Sequence, residues 1–311
     1  MAVIAVDFGG TNIKIGIIKD GRLLCKEFID AESENGIKPR LSIVKETIGR
    51  MLDGTSLPPD ALTHIGIAIP GIVDFNAKCV LDINKKYSDV IGFDFKKWCK
   101  DNFNLPMIIE NDTKSAIMGE TRYGCCPGAK DAVLMSFGTG IGTAVIIDGK
   151  LLRGKHHQAG CLGGHIAISD NGNVCTCGGK GCIEAESGGW ALPRIAKGFP
   201  GFKDSLLSNE HVLNYKAIMS CAAQKDPVSE AIFQILLRRW SIGIVNLIHA
   251  YDPETVILCG GVMKEADRIV PYIEEYLSKY AWTPWGKVTV CVSKDPDASV
   301  LLGLYALCTA D

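Results

Sequence analysis

"VIAVDFGGTNIKIGIIKDGRLL", Val3 to Leu24, opens the chain, and "VLMSFGTGIGTAVIIDGKLL", Val133 to Leu152, repeats its design. Each copy has an apolar run, a Phe, a glycine-rich turn with Thr, a second apolar run, then Asp-Gly-basic-Leu-Leu. Short apolar runs bounded by turn residues read as strands, so each stretch is a β-hairpin. In the first copy Val3–Phe8 and Ile13–Ile18 are the strands, and Lys19-Asp20-Gly21 turns into a third near Leu23–Phe28. One such hairpin is explained by turn chemistry alone, because glycine is the default turn residue. Two in equivalent places ask for more. A polyphosphate takes backbone N–H groups from both sides; glycine lets the main chain approach it, and a Thr hydroxyl adds a donor.

Working outward, helical spacing runs over Lys38–Leu52, and Ile65–Ile69 reads as a buried strand ended by Pro70-Gly71. A helix over Phe95–Phe103, a strand at Met107–Ile109 and a helix over Lys114–Tyr123 follow. Beyond the second hairpin, Cys161–Cys182 holds too much Gly and Asn for regular structure. Ser229–Tyr251 reads as a long helix and Val256–Leu258 as a strand, after which Gly260-Gly261 opens a helix to about Tyr280. Val288–Val292 and Ser299–Cys308 are the last strand and helix. Strands alternating with helices make an α/β chain, and the repeat makes it a duplicated one.

The bulk numbers narrow the class. With 311 residues the chain can build two domains, each with its own core. Hydrophobic residues at 47% and charged residues at 22% are globular proportions and argue against disorder. A net charge of −2 advertises no nucleic-acid partner. No basic leader or transit-type composition opens the chain, and no apolar run looks long enough to cross a membrane, Arg238 and Arg239 interrupting the most apolar helix. The expectation is a cytoplasmic protein. Thirteen cysteines without an export signal then suggest reduced thiols or metal ligands. Cys175-x-Cys177, Cys182 and His165, ten residues before Cys175, present three thiolates and an imidazole. That is a complete tetrahedral set for structural Zn2+, with no position left for a catalytic water. The plainer alternative is three reduced thiols in a glycine-rich loop.

These parts together resemble the ROK family (repressors, open reading frames and kinases). The resemblance rests on "DFGGTNIK" (Asp7–Lys14), "GIAIPGIVD" (Gly66–Asp74), "ENDTKSAIMGE" (Glu110–Glu120) and "FGTGIGTAVIIDGKL" (Phe137–Leu151). It extends through "GGH" (Gly163–His165), "CTCGGKGCIE" (Cys175–Glu184) and "VILCGGV" (Val256–Val262). It implies a duplicated actin-like (ribonuclease H-like) ATPase fold of two lobes with a nucleotide cleft between them. The smaller lobe is expected at 1–112 plus 298–311, and the larger, with the zinc loop, at 113–297. It also implies ATP and Mg2+ as cofactors and phosphorylation of a hexose or hexose derivative, glucose-like or an N-acetylhexosamine, at the 6-hydroxyl.

By the same resemblance Asp112 is the general base, although an N-cap explains it locally, and both roles can hold at once. Asp7 stands beside magnesium, or is simply a strand-end turn former. Gly9, Gly10 and Thr11, with Gly138, Thr139 and Gly140, line the phosphate path. Gly260 and Gly261 lie near the adenosine, a tight strand-to-helix turn being the alternative. Asn111, His165 and Glu184 hold the sugar, with Gly71 and Asn84 beside them, although Glu184 could equally be a solvated loop carboxylate. Lys14 reads as a solvated strand residue. His165 resembles a ligand that both binds the metal and faces the sugar. One position departs from the pattern. Where most sugar kinases of the family have the Glu of E-x-G-H, this chain has Leu162, or Cys161 if the alignment shifts by one. Losing that acceptor implies a less polar neighbour at this end of the sugar, such as an N-acetyl methyl, a glycosidic substituent or an altered ring.

Three rival readings remain in view. Sugar-sensing regulators of the family carry a helix-turn-helix before the first hairpin; six residues precede Asp7 here, so an enzyme is expected. A catalytically silent sugar-binding protein would not need Asp7, Asp112 and both Gly-Thr turns. An actin-like filament or chaperone ATPase would need no zinc loop. The expected partners are ATP and a small sugar, with no nucleic acid and no membrane, in a homodimer or homotetramer.

Overall fold

The computed structural model of the chain describes residues 1–310 and divides into two α/β units. The first comprises Met1–Lys130, Lys150–Cys161 and Lys294–Asp311; the second comprises Asp131–Gly149 and Leu162–Ser293.

The first unit is built on β1 (Ala2–Phe8), β2 (Asn12–Lys19), β3 (Arg22–Asp30) and β4 (Leu62–Ile69). A small ribbon follows, β5 (Ile72–Asp74) with β6 (Cys79–Asp82), and then β7 (Met107–Asn111). The main sheet runs β3-β2-β1-β4-β7, with β1 antiparallel to β2 and parallel to β4. β1 is buried along its whole length, which is why its sequence is a continuous apolar run rather than an alternation. β3, at the edge, alternates exposed and half-buried residues. One core gathers Ile4, Val6 and Phe8 with Val44 and Ile48 of the Lys38–Asp53 helix and Phe95 of the Phe95–Phe103 helix. Elsewhere in this unit the Asp112–Arg122 helix lies against the closing Pro296–Cys308 helix with main chain touching main chain. A Cβ on Gly119 would overlap the Ser299 carbonyl, and one on Gly303 the Ser115 carbonyl.

The second unit repeats the plan. Its β8 (Ala132–Phe137) pairs antiparallel with β9 (Ile141–Ile147) and parallel with β10 (Thr255–Cys259), which pairs parallel with β11 (Thr289–Val292). Trp240 is fully buried beside Phe137 and Tyr215, with ring centroids 4.6 and 5.6 Å away. It belongs to Pro227–Tyr251, whose first turn is capped by Asp226 accepting from Ser229 N. That helix is long and apolar enough to span a bilayer by length and composition, contrary to the expectation that no run would be. Here Ile232, Phe233, Leu236 and Ile244 are core residues of the unit. The basic residue Arg239 pairs with Glu186 at 3.0 Å.

Several elements lie outside the sequence expectation, among them the short helices Ile183–Ser187 and Leu192–Lys197. The β5–β6 ribbon is assembled from three- and four-residue strands, too short for a period to register. The Tyr215–Ala223 helix was also unforeseen, although Asn214 caps it through Ala217 N.

Candidate functional site

In the first unit the end of β1 and the start of the Asp112–Arg122 helix bring two carboxylates within electrostatic reach of each other. Asp7 is buried and salt-bridged to Lys14 Nζ at 2.9 Å. Burial raises its pKa to about 6, with the Lys14 ammonium opposing and the Asp112 carboxylate adding to the rise. Its second oxygen, Oδ1, is buried with no protein partner. Lys14 is no solvated strand residue: its ammonium also meets Asp297 Oδ1 at 3.1 Å. Burial works against that charge, and the two carboxylates outweigh it and raise the Lys14 pKa.

Asn111, not Asp112, is the helix N-cap. Its Oδ1 accepts from Lys114 N at 3.1 Å and from Thr113 Oγ1 at 2.6 Å, while Nδ2 donates to the Gly71 carbonyl at 3.0 Å. Both residues are good caps in sequence; the earlier one wins because β7 ends extended at Asn111. Asp112 is the first helical residue, its Oδ1 accepting from Thr113 N at 2.8 Å. Burial raises its pKa, against the Thr113 N–H and the charges of Lys14 and Lys86. β7, which leads into both, is fixed by Glu110, fully buried, whose oxygens accept from Asn111 N and from Arg153 Nε at 2.9 and 2.8 Å. Beyond it, Lys114 is buried and donates to the His157 carbonyl at 2.8 Å.

The Gly9-Gly10-Thr11 turn follows β1 directly. Its carbonyls are tied back: Tyr87 Oη donates to Gly9 O at 2.7 Å, and Ser33 Oγ to Gly10 O at 2.9 Å. Asn84 lies in the exposed stretch before Tyr87, its carbonyl accepting from Lys86 N at 2.9 Å. An open cavity of about 650 Å³ in this unit is lined by Ile72, Asp74, Asp82 and the Lys155–Gln158 segment.

In the second unit Gly138 and Thr139 are exposed at the β8–β9 turn, and Gly140 completes it. Glu184 braces that turn instead of standing in solvent. Its Oε2 accepts from Ile141 N at 2.9 Å and its Oε1 from Trp190 Nε1 at 3.1 Å. Gly260 follows β10 with φ +107°, a conformation costly for other residues, and a Cβ there would strike the Phe137 main chain. Gly261 begins the turn that leads into the Ala266–Tyr280 helix.

His165, Cys175, Cys177 and Cys182 converge, their ligand atoms all within 4.8 Å of one another. Cys175 Sγ is 3.5 Å from His165 Nδ1, and Cys177 Sγ is 3.7 Å from Cys182 Sγ. A tetrahedron with metal–sulfur bonds of about 2.3 Å has edges of about 3.8 Å, so the spacing fits one ion held by all four. The Gly179 N–H holds the Cys177 thiol below its ordinary pKa, which favours the thiolate a metal requires.

A model of the ROK family matches residues 3–311. The chain belongs to the ROK family. Among its ROK relatives, the glucokinase of Halalkalibacterium halodurans is 28% identical over 285 residues, 89% of this chain and 86% of that one. The xylose repressor of Caldicellulosiruptor bescii is 26% identical over 318 residues, covering 100% of this chain and 78% of the repressor. The structure of a ROK glucokinase from Streptomyces griseus, in complex with glucose and AMPPNP, superposes with a TM-score of 0.83 at 27% identity over 99% of both chains. The fold is thus the actin-like ATPase fold, as the family resemblance implied.

Within that family frame, the two residues at the E-x-G-H departure separate. Leu162 belongs to the second unit and is 38% exposed. Cys161 belongs to the first, where burial raises its pKa, Lys114 opposes the rise and Asp112 adds to it. The cysteine is therefore within electrostatic reach of the candidate base. The sequence reading missed Lys86, because "INKKYSD" carries no motif and a pair of lysines reads as a solvated run.

Proposed function

We propose that this ROK protein is an ATP-dependent kinase that phosphorylates a hexose or hexose derivative at an exocyclic, 6-type hydroxyl. The observation that carries the reading is a partly buried carboxylate at a helix start, Asp112, within electrostatic reach of a fully buried one, Asp7, at the end of the strand leading into a glycine-rich turn. The sugar hydroxyl attacks the terminal phosphorus of ATP: its O–P bond forms, the bond to the ADP oxygen breaks, and Asp112 takes the hydroxyl proton. Positioning and charge stabilisation dominate in such a loose transition state, so a weak base suffices. Gly9, Gly10 and Thr11 offer main-chain and hydroxyl donors to the phosphates, as do Gly138, Thr139 and Gly140 in the second unit. Gly260 and Gly261 offer backbone to the adenosine.

The unpartnered Oδ1 of Asp7 suits Mg2+ or a water bound to it. Bound Mg2+ supplies neutralising charge to the phosphates. Zn2+ suits His165, Cys175, Cys177 and Cys182, and its role is structural. With His165 Nδ1 turned toward Cys175, Nε2 remains for a sugar hydroxyl, beside Glu184 as a further acceptor. Asn111 keeps a second amide hydrogen for the sugar beyond the one given to Gly71. Leu162, or Cys161 if the alignment shifts by one, in place of a carboxylate supports a substrate with an apolar substituent there, an N-acetyl or glycosidic group, over free glucose.

The test is coupled ADP release across glucose, mannose, fructose, allose, N-acetylglucosamine, N-acetylmannosamine and β-glucosides, on wild type and Asp112→Asn. The wild type should turn over at least one sugar. The variant should lose about 10³-fold or more in kcat while binding that sugar within about threefold of wild type. Near-normal turnover in the variant would reduce Asp112 to a helix residue. Silence of the wild type on every sugar would favour a sugar-sensing regulator, a reading supported by the match of the whole chain to 78% of a xylose repressor.

A further inference from the structure

We propose that Lys86 is a catalytic residue that binds the non-bridging oxygens of the transferred phosphoryl group, an assignment that rests on the kinase reading above. The Lys86 ammonium lies directly over the glycine-rich turn, where a Cβ on Gly10 would collide with it. It also acts electrostatically on Asp112, whose carboxylate it helps to keep charged. A cation placed between a phosphate-binding turn and the base that activates the acceptor stands where the phosphoryl group must pass.

The competing cation is already committed. Lys14 is shared between Asp7 and Asp297, whereas among the described residues no carboxylate pairs with Lys86. The segment around Lys86 is also held rigidly. Its neighbours Lys85 and Tyr87 both adopt left-handed backbone, with φ of 62° and 47°, a strained choice for side chains of this size. The strain is anchored from both sides. Tyr87 is fully buried, its N–H donating to Ser33 O at 2.7 Å and its hydroxyl to Gly9 O, also at 2.7 Å. Asp89, three residues beyond Lys86, accepts from Ile37 N and Lys38 N at 2.6 and 3.2 Å. The same tyrosine that fixes the turn therefore fixes the lysine over it.

In the transfer step the sugar oxygen–phosphorus bond forms, the bond to the ADP oxygen breaks, and the sugar proton goes to Asp112. Lys86 takes no part in the proton transfer and donates hydrogen bonds to oxygens whose arrangement changes as the group moves. Such preorganised donors act on the transition state more than on the ground state.

The experiment compares Lys86→Met and Lys86→Arg with wild type, using sugar-dependent ADP release, the sugar Kd by calorimetry, and the pH profile of kcat/KM. Lys86→Met should lose about 10²- to 10³-fold in kcat with the sugar Kd within about twofold. Lys86→Arg should recover to within about tenfold of wild type. The acid limb should move to higher pH in Lys86→Met, since that charge opposes the rise in the Asp112 pKa. The other groups acting there, Lys14, Asp7 and Cys161, are unaltered. Turnover of Lys86→Met within about threefold of wild type overturns the assignment, as does a parallel loss of sugar binding, which marks a scaffold residue. A wild type that releases no ADP with any sugar overturns the kinase reading and this assignment together, and is told apart because the failure is in the unaltered protein.

Discussion

At the first position of a helix a carboxylate meets two opposed influences: the unpaired N–H groups keep it charged, and loss of water pushes it toward neutrality. At Asp112 burial is the larger, and its pKa lies above the ordinary aspartate value. A base must be ionised to accept a proton, and the ionised fraction falls tenfold for each pH unit below the pKa. The acid limb of kcat/KM should therefore lie at higher pH than the 3.8 of an ordinary Asp, and a pH–rate profile checks it. A limb at or below that value would show that burial does not govern the group. Sequence could place Asn111 and Asp112 at the junction but could not divide their roles, because both are good caps and only the backbone angle at Asn111 decides. Lys14 was illegible for another reason. Its second carboxylate, Asp297, comes from the opposite end of the chain, and periodicity carries no information about such a pairing.

Among the elements, the Asp112–Arg122 helix owes its placement to its contact with the Pro296–Cys308 helix. Gly119 and Gly303 permit that approach, and the atoms a Cβ would meet are main-chain carbonyls that cannot rotate away. Gly119→Ala or Gly303→Ala should therefore destabilise by about 2 kcal/mol, a Tm loss of about 5 °C, and reduce turnover by displacing the helix that carries Asp112. Gly49→Ala is the contrasting case. It also sits within a helix, but a Cβ there meets nothing within 4 Å, so helix propensity should raise stability by up to about 1 kcal/mol. Thermal melts of the three variants check the pair of expectations; equal behaviour would deny the close contact. Gly119 itself gives no local hint of its role. The hairpins, by contrast, were legible because glycine-rich turns and the apolar runs that flank them are local signals, whereas β5 and β6 are too short to produce one.

On the scale of the whole molecule, the duplication was plain in the sequence because both hairpins kept the same order of apolar run, glycine turn and Asp-Gly. The convergence of His165, Cys175, Cys177 and Cys182 was legible because C-x-C spacing is compact, and few uses other than metal binding explain it. Each unit has its own sheet and its own core, so loss of the metal should be felt unequally. The cysteine loop is held inside the second unit through Glu186. That residue accepts from Asn173 Nδ2 at 2.9 Å, while Arg239 of the long helix pairs with its carboxylate at 3.0 Å. Tyr215 closes the arrangement, donating to the Ser187 carbonyl at 2.6 Å. A segment with so little regular structure of its own depends on its tie for order. Purified protein should contain about one zinc per chain by elemental analysis, and Cys177→Ser, which removes an exposed ligand, should lower that content. On chelation, hydrogen exchange should accelerate from His165 to Ser187 and spread toward Arg239, while β1 and β2 keep their protection. Protein purified without zinc, or exchange that rises equally in both units, would remove the metal from its structural role and leave three reduced thiols beside an imidazole.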